Sequence, residues 1–203
     1  AQYTEFLNAS AATDAHNLYN SPLMGISGLQ GGITRTGTSG SFSYATIPGR
    51  EDMPVNWISA YDTFRFANWM HNGQGSGDTE TGAYTLGGIN PPGVTRNPSA
   101  TIFLPNENEW YKAAYYDSLS MSYLDFPSAT DTHIVCSSPG TLANTANCNS
   151  SVGDVTAVGG YSGSASPYGT FDQGGNVMEI TDTLAGNGSS YVTRGGSWTA
   201  IPA

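Results

Sequence analysis

Ser166-Pro167-Tyr168-Gly169-Thr170-Phe171-Asp172-Gln173-Gly174-Gly175-Asn176-Val177-Met178-Glu179 is the stretch on which the reading turns. Asp172 and Glu179 bracket a glycine pair. Their carboxylates offer hard oxygen donors, and the glycines let backbone carbonyls converge without Cβ obstruction. Ca²⁺ takes roughly six to eight such oxygens at about 2.3–2.6 Å, so the segment reads as a candidate calcium loop. The same carboxylates would also serve as turn caps that accept backbone N–H bonds. The residues alone leave both readings open.

Outward from this loop, the composition narrows the function. The 203 residues include 16 acidic and 6 basic side chains, for a net charge of −10, and Lys112 is the only lysine. Nucleic-acid affinity rests on Lys and Arg, so no nucleic-acid partner is expected. The balance suits divalent cations, cationic partners or solubility. Glycine is abundant, at 26 residues, yet 12 tyrosines and 4 tryptophans argue against disorder. The glycines therefore belong to tight turns of a loop-rich fold. A chain of this length suits one domain able to bury about 70% of its unfolded surface.

Cys136 and Cys148 lie in a polar Ser/Asn/Thr-rich segment. A disulfide between them would close a short loop, contribute about 2–3 kcal/mol in the chain-entropy model, and imply an oxidising compartment; two free thiols are the alternative. There is no apolar run of about 20 residues and no signal peptide, so no membrane-spanning segment is expected. The chain opens at Ala1 without a Met, from which an upstream part is expected.

Three helices are predicted. Ala1 to Ala12 places Tyr3, Phe6, Leu7 and Ser10 on one side. Ser59 to Met70 opens with a Ser59/Asp62 capping box and carries Tyr61, Phe64, Phe66, Ala67, Trp69 and Met70, which predicts deep burial. Asn106 to Tyr116 opens with an Asn106/Glu109 pair and turns Trp110, Ala113 and Ala114 inward. Residues 28–44 read as a hairpin, Thr101–Leu104 as a short strand and Tyr191–Thr199 as a late strand. Residues 73–98 and 125–166 show no period and read as long loops.

Four segments carry a resemblance. Pro54-Val55-Asn56-Trp57-Ile58-Ser59 is similar to a "PV..VSW" block, and Phe103-Leu104-Pro105-Asn106-Glu107-Asn108-Glu109-Trp110 to "RLPTEAEW". The loop quoted first is similar to "NPFGLYDMGGNVWEW", and Arg194-Gly195-Gly196-Ser197-Trp198 matches "RGGSW". In this order they resemble the formylglycine-generating-enzyme, or sulfatase-modifying-factor, superfamily. The first helix is also similar to the family's "TN.QY..FL" helix.

The resemblance implies an α+β, C-type-lectin-like fold with little regular secondary structure. It implies a single domain over residues 1–203, incomplete at both termini: family strands before the first helix and after "RGGSW" are expected outside it. Unpaired sheet edges would follow, hence a longer parent polypeptide or a partner that completes the sheet. Two calcium sites are implied. In one, Asp172 and Glu179 bind through side chains, and Gly175 and Val177 through carbonyls. In the other, Asn147 and Asp154 use side chains, and Cys148 and Thr156 their carbonyls. Trp57, Trp69, Trp110 and Trp198 read as core rather than as a ligand shelf.

The family's oxidase holds copper on two cysteines, as soft thiolates suit Cu(I). The first position here is Ala200 and the second falls beyond Ala203, so no copper is expected. His16, His71 and His133 are dispersed without metal-ligand spacing, and His71 near a helix end reads as a dipole partner. No GxSxG or GxxxxGK[ST] motif is present. The expectation is a non-catalytic, exported, calcium-stabilised binding or structural domain, of bacterial type, in a cell-surface or extracellular assembly. The alternatives are a fragment of a formylglycine-forming oxidase acting on sulfatase cysteines, and a diversified lectin-like ligand-binding protein.

Overall fold

The computed structural model describes residues 1–201. By contact the chain divides into two compact units, residues 1–104 with 182–191, and residues 105–181 with 192 onward. The secondary structure is mixed α/β, with strands only in two-stranded pairs among the described residues.

In the first unit, α1 (Gln2–Ser10) buries Tyr3, Phe6 and Leu7. β1 (Ile33–Thr36) and β2 (Ser43–Thr46) form an antiparallel pair in which Ile33 faces Thr46. The Asn8 amide donates to the Tyr44 carbonyl and accepts from the Tyr44 N–H, each at 2.9 Å, so a helix side chain satisfies the outward backbone groups of β2 at Tyr44. The Tyr3, Tyr19 and Tyr44 hydroxyls donate to the carbonyls of Leu18, Ile33 and Ala11. Each tyrosine thereby fills core volume while satisfying a backbone carbonyl.

Helix α2 (Ala60–His71) starts at the Ser59/Asp62 capping box. Its Phe64, Ala67 and Trp69 are buried, as expected, and Phe6 stacks near Trp69 with centroids 5.5 Å apart. Tyr61, Phe66 and Met70 are only half-buried. In their place Arg65 and Asn68 are almost fully buried. Arg65 donates to both Glu80 oxygens and to Asn90, and Asn68 donates to the carbonyls of Thr79 and Tyr84 while accepting from the Tyr84 N–H. Polar side chains of one helix thus satisfy the Thr79 and Tyr84 backbone groups of the aperiodic 73–98 loop, whose ladder pairing is limited to an isolated antiparallel bridge between Tyr84 and Arg96.

The strand expected at Thr101–Leu104 is absent. The Leu104 N–H donates to the Tyr84 hydroxyl, the Leu104 carbonyl accepts from Arg96, and the Thr101 N–H donates to His71 Nδ1. These groups bond to side chains, so no strand partner is needed. His71, in the last turn of α2, thereby also anchors this loop through Nδ1.

In the second unit, α3 (Glu107–Tyr115) has the Asn106/Glu109 capping box and buries Trp110 and Ala114, with Ala113 half-buried. It leads directly into a hairpin of β3 (Tyr116–Asp117) and β4 (Ser122–Tyr123). β5 (Val135–Cys136) and β6 (Thr145–Ala146) run parallel, and a Cys136–Cys148 disulfide ties this loop region. β7 (Glu179–Leu184) pairs with β8 (Tyr191–Arg194), and the 182–191 turn between them belongs with the first unit. β8 stops short of Thr199 because Gly195 and Gly196 take φ of +89° and +74°, turning the chain so that Trp198 N–H reaches the Asn176 carbonyl at 2.8 Å. No helix among the described residues is long and apolar enough to cross a membrane.

Of the four tryptophans, Trp69 and Trp110 are core, Trp198 is half-buried, and Trp57 stands 41% exposed. The core reading is therefore corrected for Trp57. Its backbone lies at φ +64° and its indole N–H donates to the Leu29 carbonyl, which holds the ring at the surface.

Candidate functional site

The second unit folds the 166–179 loop around a buried amide cluster. Ser166 Oγ accepts from the Tyr168 and Thr170 N–H groups and fixes the first turn. Asp172 follows at φ +61°, with its Oδ2 accepting from the Gly159 N–H at 2.6 Å. Burial raises the Asp172 carboxyl above its ordinary range, against that hydrogen bond. Gly175 sits at φ +88°, where a Cβ would lie 2.3 Å from the Asn147 carbonyl oxygen; only glycine permits this approach.

Asn176 is the hub that sequence reasoning missed. It is 2% exposed and sits at φ +57°. Its N–H donates to the Asn147 carbonyl at 2.8 Å, its Oδ1 accepts from the Thr156 N–H at 2.9 Å, and its Nδ2 donates to the Thr156 carbonyl at 3.2 Å. Asn147 lies alongside, with Nδ2 donating to the Asp154 carbonyl at 2.9 Å and to Asn176 Oδ1 at 3.3 Å. Asn147 Oδ1 is buried and has no hydrogen-bond donor. The available signal was the "Gly-Gly-Asn" run itself, since Asn tolerates positive φ and carries a donor and an acceptor.

The structure therefore links Asn147, Asp154 and Thr156 through one polar network, with Gly175 packed against the Asn147 carbonyl and Cys148 next in chain and disulfide-bonded. Asp154 Oδ1 accepts from the Val155 N–H, and Val177 is half-buried. Glu179 accepts a short hydrogen bond from the Trp110 indole. Burial, aided by the charge of Asp172, pushes its carboxyl up to about 7 against that bond. Both carboxylates thus pay for desolvation and repel one another, the arrangement that a cation relieves. No three His, Cys, Asp or Glu side chains group as a metal set among the described residues, so a cation here would draw on amide and backbone oxygens, as Ca²⁺ does.

Beside this network lies a cavity of about 210 Å³, walled by Trp110, Tyr115, Phe126 and Ile134 on its apolar side and by Arg194 and Ala200 on another. Arg194 forms a close ion pair with Glu107 at the start of α3. Cys148 also touches the cavity, but its sulfur is committed to Cys136. His16 pairs with Glu80, His71 with Thr101, and His133 stacks near Phe126, so the structure does not bring the histidines together.

The sequence matches the family model of the sulfatase-modifying factor enzyme 1-like domain over residues 1–203. The chain belongs to this family. No curated protein and no solved structure matches it. Within the sulfatase-modifying-factor family, then, this chain lines its cavity with the Arg194-Gly195-Gly196-Ser197 block and has alanine at position 200.

Proposed function

We propose that this is a non-catalytic member of the sulfatase-modifying-factor family: an exported, calcium-stabilised binding or structural domain with a C-type-lectin-like architecture, working in an extracellular or cell-surface assembly. The observation that carries the reading is Asn147 Oδ1, a buried carbonyl-type oxygen without a donor. Leaving such a group unsatisfied costs about 1–3 kcal/mol, and a cation satisfies it.

The residues fit calcium. One ion would be held by the Asn147 and Asp154 side chains with the Cys148 and Thr156 carbonyls, and a second by Asp172 and Glu179 with the Gly175 and Val177 carbonyls. Calcium supplies positive charge and no redox chemistry. The chain's contribution is to converge oxygens from loops that have no ladder of their own. The disulfide supports an oxidising compartment, and the −10 charge supports cation affinity.

The non-catalytic part rests on the thiols. The only two cysteines of these 203 residues are joined to each other, so neither is free to hold copper beside the cavity. Two measurements test the reading. Elemental analysis after exhaustive desalting is expected to find one or two calcium ions per chain; a metal-free, fully folded protein contradicts it. Copper-supplied protein incubated with a sulfatase-type cysteine peptide is expected to form no aldehyde, and aldehyde formation would return the chain to the oxidases.

A further inference from the structure

The first unit holds a separate polar cavity of about 650 Å³, within the range of small-molecule sites. Its walls include Asp14, Tyr19, Arg35, Trp57, Asp62 and Asn90. None of these residues takes part in the calcium reading.

The charges on the walls do not cancel. Asp14 is paired with Arg35 at 3.0 Å, and Arg35 also lies over the Tyr19 and Phe42 rings. His16, which faces the same space, is 3.3 Å from Glu80. Arg65 is committed to Glu80 and Asn90 and acts on Asp62 only through its field. Asp62 is left as a 7% exposed carboxylate with no ion pair among the described residues. Burial raises its carboxyl above the ordinary range, against the Ser59 hydrogen bonds and the Arg65 charge. Trp57, on the same cavity, presents an exposed indole whose N–H is already tied to Leu29. A fixed aromatic face and an unpaired buried carboxylate in one cleft both favour the same kind of guest, a cation small enough to enter.

We infer that this cavity binds small ligands bearing a protonated primary amine, seated between the Asp62 carboxylate and the Trp57 ring. Two sources carry that chemistry, an amino sugar and a lysine-type side chain, and the probes separate them. Calorimetric titrations of the whole chain in calcium-containing buffer would use glucosamine and N-acetyl-lysine amide. The neutral controls are N-acetylglucosamine and N-acetyl-norleucine amide.

At least one amine is expected to bind at least tenfold more tightly than its neutral counterpart, and whichever amine leads names the source. Asp62→Asn keeps an acceptor for the Ser59 N–H while removing the charge, and is expected to weaken that amine about tenfold. Trp57→Ala, at an exposed position, is expected to weaken it as well. It carries the test if Asp62→Asn melts below assay temperature. Neutral analogues binding as well as amines, no binding by any of the four at millimolar concentration, or affinities unchanged in both variants overturns the inference.

Discussion

Gly175 and Gly40 both lie at positive φ, +88° and +96°, but in different surroundings. A Cβ at Gly40 meets nothing within 4 Å, whereas one at Gly175 meets the Asn147 carbonyl at 2.3 Å. Gly40→Ala is therefore expected to cost about 1 kcal/mol from backbone strain alone. Gly175→Ala should cost about 3–4 kcal/mol because it also drives Asn147 and Asn176 apart. Denaturant titrations of the two variants check this; equal losses would mean the amide cluster tolerates displacement. Residue types gave good notice of the turns, since Gly, Asn and Asp occupy most positive-φ positions. They gave none of Trp57, whose exposure depends on a 28-residue-distant carbonyl at Leu29. Nor did they show Asn147 meeting Asn176, because side-chain amides in loops carry no periodic signal.

Helices were the most readable elements. The Ser59/Asp62 and Asn106/Glu109 boxes mark the observed starts of α2 and α3, because capping is a short-range bargain between neighbours in sequence. The faces were less readable. Arg65 and Asn68 look like solvent-facing residues on a helix, yet they are buried because an aperiodic loop brings its carbonyls and Glu80 to them. Asn68→Ala strips three hydrogen bonds from that loop and is expected to cost about 2–4 kcal/mol, read as a fall in denaturation midpoint with unchanged slope.

The Arg65–Glu80 contact also predicts a pH dependence. Desolvation raises the Glu80 carboxyl, but the Arg65 hydrogen bonds and charge, with Thr79 and His16, outweigh it and hold it below its ordinary value. A depressed folded-state pKa gives stability that is complete above the unfolded value, near 4.3, and is lost as pH falls through the folded value. Wild-type protein should thus lose more stability than Glu80→Gln between about pH 5 and pH 3. Parallel curves would contradict the coupling.

Across the whole molecule, regular structure is sparse and polar cross-links replace it. The four segments of the sequence that resemble the sulfatase-modifying factors fall on the α2 approach, α3, the amide loop and the β8 exit. Each segment was legible because its residues are neighbours in the chain, whereas contacts such as Gly175 N–H to the Gly195 carbonyl and Trp198 N–H to the Asn176 carbonyl join residues about 20 positions apart and leave no local pattern. The disulfide is one cross-link; replacing both cysteines with serine is expected to cost about 2–3 kcal/mol, measured by denaturant unfolding.

Calcium is the other proposed cross-link, and thermal unfolding in excess calcium against excess chelator tests it most directly. A ligand bound only by the folded state at about a hundred times its Kd contributes about 2.7 kcal/mol. For a chain of this size that is roughly 5–10 °C in melting temperature. A fall of that order is expected in chelator, reversed by added calcium and much reduced in Asn147→Ala. Superimposable melting curves in calcium and chelator would contradict it.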